Sequence, residues 1–199
     1  METDRKLLSY KCIVLGDSGV GKTSLANRQC RGQFNFQMTP TIGTSHMKAI
    51  VHLGNHDVEL KIWDTAGQEQ FASLVSMYAR GANVCILVAS YIDSGSMDNL
   101  EIWLERLHTA GEFPPVIVAI NKTDLSEGTN LTQEAIRDKY GSKYPNMFFV
   151  SARTGDGVSE MFASAAQEAL KASQTQEQIN AVNVTSPSST PSNTKPCCA

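Results

Sequence analysis

The chain has 199 residues, of which 41% are hydrophobic, and this is enough for one globular domain with a buried core. Its formal net charge of -3 argues against the basic composition typical of nucleic-acid binding, so we expect no nucleic-acid partner. No apolar run is long enough for a membrane-spanning helix, the N-terminal segment lacks the apolar core of a signal peptide, and Glu2 stands where N-myristoylation requires glycine.

Six apolar runs predict the strands of one largely parallel sheet. They cover residues 10–15, 47–53, 58–63, 84–90, 116–120 and 147–150. Gly54 and Asn55 form a turn signal between the second and third runs, which predicts an antiparallel hairpin there. After the third run, strands alternate with helical segments, and this pattern indicates helices on both faces of the sheet. Ligands of such folds bind at the carboxyl ends of the strands.

One predicted helix carries Leu100, Trp103, Leu104 and Leu107 at helical spacing. This periodicity indicates a face packed against the core. We therefore interpret Trp103 as a core residue rather than as a ligand contact.

Three of the five cysteines are predicted to be reduced, mostly buried thiols. Cys12 and Cys85 lie in apolar strands and Cys30 falls in a predicted helix. None of them has the spacing of a metal site or a redox motif.

The composition changes near Ala172. From there to Pro196 the chain is rich in serine, threonine, asparagine, glutamine and proline and has few large apolar residues. Such a segment cannot bury enough surface to fold alone, so we predict a folded domain over residues 1–171 and a flexible tail over 172–199.

A glycine-rich loop follows the first strand and precedes a helix. Gly16, Gly21, Lys22 and Thr23 match the phosphate-binding pattern Gly-x-x-x-x-Gly-Lys-Thr. The glycines let backbone N–H groups surround a phosphate at a helix N-terminus. Lys22 is predicted to neutralise the β- and γ-phosphates and Thr23 to bind Mg²⁺. This loop alone indicates only a nucleoside triphosphate and leaves a P-loop kinase or ATPase open.

A second motif, Asp-Thr-Ala-Gly-Gln, ends the third strand. Asp64 is predicted to hold Mg²⁺, through a water. The backbone N–H of Gly67 would reach the γ-phosphate, and Gln68 would orient the attacking water. Read without the other motifs, the same residues could form an ordinary turn.

The sequence Asn-Lys-Thr-Asp after the fifth strand selects the base. A carboxylate at Asp124 can accept from N1–H and the 2-amino group of guanine, whereas adenine presents an acceptor and no amino group there. Ser151, Ala152 and Arg153 follow the last strand, where the N–H of Ala152 can donate to guanine O6. These motifs favour guanine over adenine nucleotides.

These motifs, in this order, resemble those of Ras-superfamily small GTPases. The resemblance covers residues 8–170 and implies a Ras-like P-loop fold, with six strands and one antiparallel hairpin. The second motif of the family matches Thr41, Ile42 and Gly43, and its threonine, Thr41, lies 18 residues after Thr23. Phe34 lies 11 residues after Thr23. The resemblance assigns Thr41 to Mg²⁺ in switch I and gives Phe34 an aromatic contact with guanine. A plain core contact is the other interpretation of Phe34.

The resemblance is most specific to the Rab family. The segments 63–69, 77–82 and 148–155 follow the Rab pattern, and the second of them leans towards endocytic Rabs. The segment Thr44, Ser45 and His46 departs from the usual Val-Asp-Phe, Gln70 stands where arginine is usual, and Met38 replaces a common tyrosine. These departures lie outside the nucleotide chemistry and alter the surface that effectors contact.

The predicted site has three groups of residues. The catalytic residue is Gln68, and the metal ligands are Thr23, Thr41 and Asp64. The nucleotide-binding residues are Ser18, Gly19, Val20, Gly21, Lys22, Thr23, Ser24, Phe34, Thr41, Gly67, Asn121, Lys122, Asp124, Ser151, Ala152 and Arg153.

Cys197 and Cys198 resemble the double-cysteine ending on which Rabs carry two geranylgeranyl groups. No cysteine stands four residues from the end, so the ending is not a CaaX box. A single lipid chain binds membranes only marginally, and Lys195 is the only basic residue near these cysteines. An inert pair of cysteines is the alternative.

The resemblance implies a GTP/GDP switch that hydrolyses GTP slowly and controls vesicle trafficking. Mg²⁺ is the expected cofactor. The expected partners are an exchange factor, a GTPase-activating protein, a GDP-dissociation inhibitor and effectors. We expect a monomer on the cytoplasmic face of an intracellular membrane, with a cytosolic pool. A Ras- or Rho-like signalling GTPase, or a module that holds GTP with little hydrolysis, are the alternatives.

Overall fold

The computed structural model describes residues 5–36, 41, 44–65 and 75–184, with side chains described up to residue 176. One sheet of six strands organises this part of the chain, with the strand order β2-β3-β1-β4-β5-β6. The strands are β1 (Lys6–Leu15), β2 (Thr44–Leu53), β3 (His56–Thr65), β4 (Val84–Ser90), β5 (Val116–Asn121) and β6 (Met147–Phe149). Each of the six predicted strands is therefore present, most of them longer than the apolar run that predicted them.

The only antiparallel pair in the described sheet is the hairpin of β2 and β3, and the other neighbouring strands are parallel. Leu53 pairs with His56 across the two-residue turn, where Gly54 has a φ of 54°. A left-handed residue suits the turn of a tight hairpin. The predicted mixed sheet with one antiparallel hairpin is confirmed.

Helices cover both faces of the sheet, as predicted. They are α1 (Lys22–Arg31), α2 (Val75–Ala79), α3 (Ser94–Asp98), α4 (Leu100–Thr109), α5 (Gln133–Tyr140) and α6 (Val158–Val184), with a 3₁₀ helix over Thr123–Gly128. Successive side chains of β1 point to opposite faces of the sheet, and each face has its own hydrophobic core. Cys12 and Val14 pack in the core that includes residues of α1 and α6, whereas Ile13 and Leu15 pack in the core that includes residues of α2 to α5.

Helix α6 differs from the prediction for the end of the domain. It continues to Val184, although a flexible segment was predicted from Ala172. Among the α6 side chains that the structure describes, which end at residue 176, Ala169 is the last that is fully buried. A lack of apolar residues rules out a core but not a helix, because alanine, glutamine and glutamate extend a helix that is already nucleated by packing. Residues 172–184 are thus helical, while the domain boundary at residue 171 stays a prediction and residues 185–199 lie outside the described part.

The three cysteines of the described chain are free thiols. Burial raises the pKa of Cys12 to about 12 and that of Cys85 well above its ordinary value, and burial also raises the pKa of Cys30. Because the thiolate is the reactive form, these side chains behave as core residues rather than as redox groups.

Candidate functional site

The glycine-rich loop connects the end of β1 to the start of α1. Gly21 caps the helix in the left-handed region with a φ of 100°, and a Cβ atom there would lie 2.3 Å from the Asn121 amide nitrogen. At Gly16 a Cβ would lie 2.2 Å from the carbonyl oxygen of Val88. Both positions therefore require glycine, for backbone conformation and for close packing.

Lys22 is buried in this loop, with only 5% of its surface exposed. Its Nζ donates to the carbonyl oxygens of Gly16, at 2.8 Å, and of Asp17, at 2.6 Å. Burial lowers the pKa of Lys22 to about 8, against the opposing effect of Asp64 and Asp17. An anion placed at this amine would relieve the cost of burying its charge.

The three residues predicted to bind metal lie together. The hydroxyl of Thr23 donates to Asp64 Oδ2 at 2.6 Å and lies 2.7 Å from the hydroxyl of Thr41. Asp64 Oδ1 is buried and has no hydrogen-bond partner among the described residues. Burial raises the pKa of Asp64, while the Thr23 hydrogen bond and Lys22 act in the opposite direction. A carboxylate and two hydroxyls are hard oxygen donors, which fits Mg²⁺.

Among the described residues, no group of three or more histidine, cysteine, aspartate or glutamate side chains is arranged so that it could hold a metal ion. A metal held at Asp64 would therefore need further ligands beyond protein carboxylates. Mg²⁺ commonly completes its shell with waters and substrate phosphates, which agrees with a single carboxylate at the end of β3.

The predicted base-reading residues converge from two loops. Asn121 ends β5, its amide nitrogen donates to the carbonyl of Val20 at 2.9 Å, and its amide oxygen accepts from the N–H of Ala152 at 3.0 Å. The carboxylate of Asp124 accepts from the Ser151 hydroxyl at 2.6 Å. Side-chain hydrogen bonds thus connect the glycine-rich loop with the loops after β5 and β6.

Lys122 has a φ of 69°, and among the described residues it is the only non-glycine residue with a positive φ. Such a conformation costs free energy in a residue with a Cβ atom, and it is common at functional sites. Lys122 lies between Asn121 and Asp124, so the unusual backbone lies inside the motif predicted to bind the base.

A cavity of about 280 Å³ opens between these loops. Nine predicted nucleotide-binding residues line it, namely Gly19, Gly21, Ser24, Phe34, Asn121, Lys122, Asp124, Ala152 and Arg153. The predicted residues Ser18, Val20, Lys22, Thr23, Thr41 and Ser151 do not form its wall. Gly67 and Gln68 lie outside the described residues, as do Met38, Gln70, Cys197 and Cys198.

The sequence did not predict that Phe36 and Leu125 line the same cavity. Phe36 stands two residues after Phe34, and Leu125 follows Asp124 directly. Their proximity to predicted site residues was the only available signal, because neither belongs to a recognised motif.

A second unpredicted feature is the environment of Asp17. Its carboxylate accepts from the Asn99 amide at 2.8 Å and from the Trp103 indole N–H at 2.7 Å. Trp103 is 2% exposed, so it is the core residue that was predicted, with an additional polar contact. The two bonds tie the glycine-rich loop to α4 and to Asn99, which caps that helix.

His46, one of the departures from the Rab pattern, makes an aromatic contact between β2 and β3. The His46 ring packs edge-on against Trp63, with centroids 4.0 Å apart and an interplanar angle of 85°. The Lys11 Nζ lies 3.9 Å from the Trp63 ring centroid on the same sheet face.

No described helix is long and apolar enough to cross a membrane.

Comparison with known proteins agrees with this arrangement. The sequence model of the Ras family matches residues 11–171. The protein Rab-9A of Canis lupus familiaris is 35% identical over 198 residues, which covers 95% of this chain and 96% of the relative. The chain belongs to the Rab branch of the Ras family. It is therefore a small GTPase with a role in trafficking.

Other relatives of this Rab-type GTPase carry similar names. Rab-17 of Mus musculus is 38% identical over 165 residues, which covers 81% of this chain and 76% of the relative. Rab-7a of Paramecium octaurelia is 36% identical over 185 residues, with 89% and 87% covered. These relatives favour the predicted Rab family over the Ras- or Rho-like alternative. They span several Rab names, so the predicted lean towards endocytic Rabs stays a prediction.

Replacing Trp103 by Phe is expected to accelerate nucleotide release about three- to tenfold. The indole N–H bond to a carboxylate contributes on the order of 1.5–3 kcal/mol, and only part of it acts on the loop. The measurement is dissociation of a fluorescent GDP analogue from the full chain. Asn99→Ala should act in the same direction through the same carboxylate. A lower melting temperature with unchanged release in both variants would mean that these residues only stabilise the fold.

Proposed function

We propose that this Rab-type GTPase binds GTP and GDP in the cavity between the loops after β1, β5 and β6, and acts as a slow switch. The observation that carries the proposal is the convergence on one cavity of Asp124, Asn121 and Ala152, with the glycine-rich loop adjoining them. The direct test is to identify the nucleotide released when purified protein is denatured and to compare GTP with ATP affinity.

In this proposal Lys22 and the backbone of the glycine-rich loop hold the phosphates, while Asp124 and the Ala152 N–H read guanine. The Asp124 carboxylate is oriented by Ser151 and the Ala152 N–H by Asn121. Such bonds reduce the freedom of the reading groups before the base arrives, which lowers the cost of binding. Guanine fits them because it offers donors to the carboxylate and an acceptor to the N–H.

Mg²⁺ would be held by Thr23, Thr41 and Asp64 and would neutralise charge on the phosphates during transfer. Gln68 is proposed to orient the attacking water.

The residues just before Thr41 include no arginine that could act as an internal finger. A Ras-like rate of about 10⁻⁴ s⁻¹ corresponds to a barrier of about 22 kcal/mol. An activating protein that supplies an arginine would lower this barrier by about 4–7 kcal/mol, equivalent to 10³–10⁵-fold.

The proposed partners follow from this slow cycle. An exchange factor would release GDP, an activating protein would shorten the GTP state, and effectors would recognise that state. A GDP-dissociation inhibitor would hold a lipidated form in the cytosol. We propose that two geranylgeranyl groups on Cys197 and Cys198 place the protein on the cytoplasmic face of an intracellular membrane and that it is monomeric.

Replacing Asp124 by Asn is expected to lower GDP affinity sharply, about 10²-fold or more, because each hydrogen bond that guanine no longer donates to a charged carboxylate costs roughly 1.5–3 kcal/mol. An amide can donate to the carbonyl that xanthine carries in place of the guanine amino group, so affinity for xanthosine diphosphate should rise. Competition binding with GDP, XDP and ADP measures both effects. A variant that still prefers guanine would place the base reader elsewhere.

Replacing Gln68 by Leu is expected to slow single-turnover GTP hydrolysis about tenfold or more and to leave GTP affinity within about threefold. The reason is that a residue which orients water acts on the transition state and contributes little to holding the ground-state phosphate. Phosphate release from preloaded protein is the measurement, with Gln133→Leu, in α5, as the matched control. An unchanged rate would remove Gln68 from the catalytic role.

Replacing both Cys197 and Cys198 by Ser is expected to make the protein fully cytosolic while nucleotide binding is kept, because the proposed site lies between residues 16 and 153. Single variants should be intermediate, because one lipid gives only weak, reversible attachment. Cell fractionation of the four forms, with mass spectrometry of the C-terminal peptide, is the measurement. An unmodified wild-type peptide, or a double variant that stays on membranes, would refute the lipid anchor.

A further inference from the structure

The mouth of the base cavity carries an exposed aromatic ring that no sequence motif explains. Phe36 is 76% exposed although it lines the cavity. Its ring lies edge-on to that of Phe34, with centroids 5.1 Å apart and planes at 90°. Edge-to-face aromatic pairs at this distance are favourable. Phe36 is therefore held at the cavity by a specific ring contact while most of its surface faces outward.

Arg153 contacts Phe36 from the opposite side of the cavity. Its guanidinium carbon lies 5.3 Å from the Phe36 ring centroid, which is within the range of a cation–π interaction. The same guanidinium lies 3.7 Å from the Asp124 carboxylate. Arg153 thus joins the segment that follows α1 to the 3₁₀ helix that carries Asp124.

The backbone under Arg153 is held independently of its side chain. Arg28, on α1, donates from Nε to the carbonyl of Ala152 at 2.8 Å and from Nη2 to the carbonyl of Arg153 at 2.5 Å. The Arg153 side chain itself is 52% exposed. Its guanidinium can therefore leave Phe36 without disturbing the loop that carries Ala152.

We propose that Phe36 and Arg153 form a latch across the mouth of the base cavity, and that this latch slows the release of guanine nucleotide. The base would lie behind the latch, next to Phe34, Lys122 and Asp124, so the contact between Phe36 and Arg153 has to break before the nucleotide leaves. The latch deepens the proposed function, because it rests on a nucleotide in this cavity.

The latch belongs to the base end of the site rather than to the phosphate end. Phe36 and Arg153 line the cavity together with Leu125 and Asp124, whereas Lys22 and Thr23 do not form its wall. Loss of the latch is therefore expected to change how fast the nucleotide leaves and to leave the dependence of binding on Mg²⁺ as it is.

The test is the dissociation rate of a fluorescent GDP analogue from the full chain, measured with excess unlabelled GDP. Phe36→Ala and Arg153→Ala should each accelerate release about three- to tenfold. The double variant should be no faster than the faster single variant, because both substitutions remove the same contact. Arg153→Lys should lie between wild type and Arg153→Ala, since it keeps the charge but not the planar group.

Phe113→Ala is the matched control. Phe113 is also a highly exposed phenylalanine, at 72%, and it stacks on His108 with centroids 4.9 Å apart, but it does not line the cavity. Release from this variant should equal that from wild type. A circular dichroism melt of each variant checks that the fold is retained.

Two results would overturn the latch. Either release stays at the wild-type rate in both single variants, or their effects multiply in the double variant, which would mean that the two residues act separately. In both cases wild-type protein still binds guanine nucleotide and the proposed function stands. A wild-type protein that binds no guanine nucleotide would overturn the proposed function and the latch with it.

Discussion

The side-chain amide of Asn121 holds the candidate site together. It is 1% exposed, and it donates to the glycine-rich loop at Val20 while it accepts from Ala152 in the loop after β6. These three segments are far apart in the chain and meet only because parallel strands end at one edge of the sheet. An apolar residue here would leave a buried carbonyl and a buried N–H unpaired, and each such group costs about 1–3 kcal/mol. Asn121 therefore couples the two ends of the site.

Burial shifts the pKa values of two charged groups at the phosphate end of the site in opposite directions. It lowers the pKa of Lys22 and raises that of Asp64, so each group is less favourable in its charged form than it would be in water. An anion beside the lysine and a cation beside the aspartate would stabilise both charged forms. The folded chain thus carries an electrostatic cost that ligands of two opposite charges would relieve together. This explains in physical terms why a nucleotide and a divalent ion would be expected to bind cooperatively.

The strands and the hairpin were predictable, because apolar runs and the turn at Gly54 and Asn55 are local signals. The positions of the motifs were predictable for the same reason, since each follows a strand. Contacts between distant residues were not: Trp103 fits the pattern of a core helix, and nothing in that pattern shows that its indole N–H meets Asp17. Phe36 was missed because it belongs to no motif. The length of α6 was missed because composition reports the capacity to form a core rather than the capacity to extend a helix.

The C-terminal part of α6 is a stiff helical arm. From Lys171 to Val184 the helix contains 14 residues, and at 1.5 Å per residue it extends about 20 Å. A flexible segment changes its mean span only with the square root of its length, and it transmits no orientation. The length of a helix is instead proportional to its number of residues, and a helix does transmit orientation. Adding or removing one residue here would shift the end of the helix at Val184 by about 1.5 Å and rotate it by about 100°. The number of residues in this arm therefore sets a direction as well as a distance.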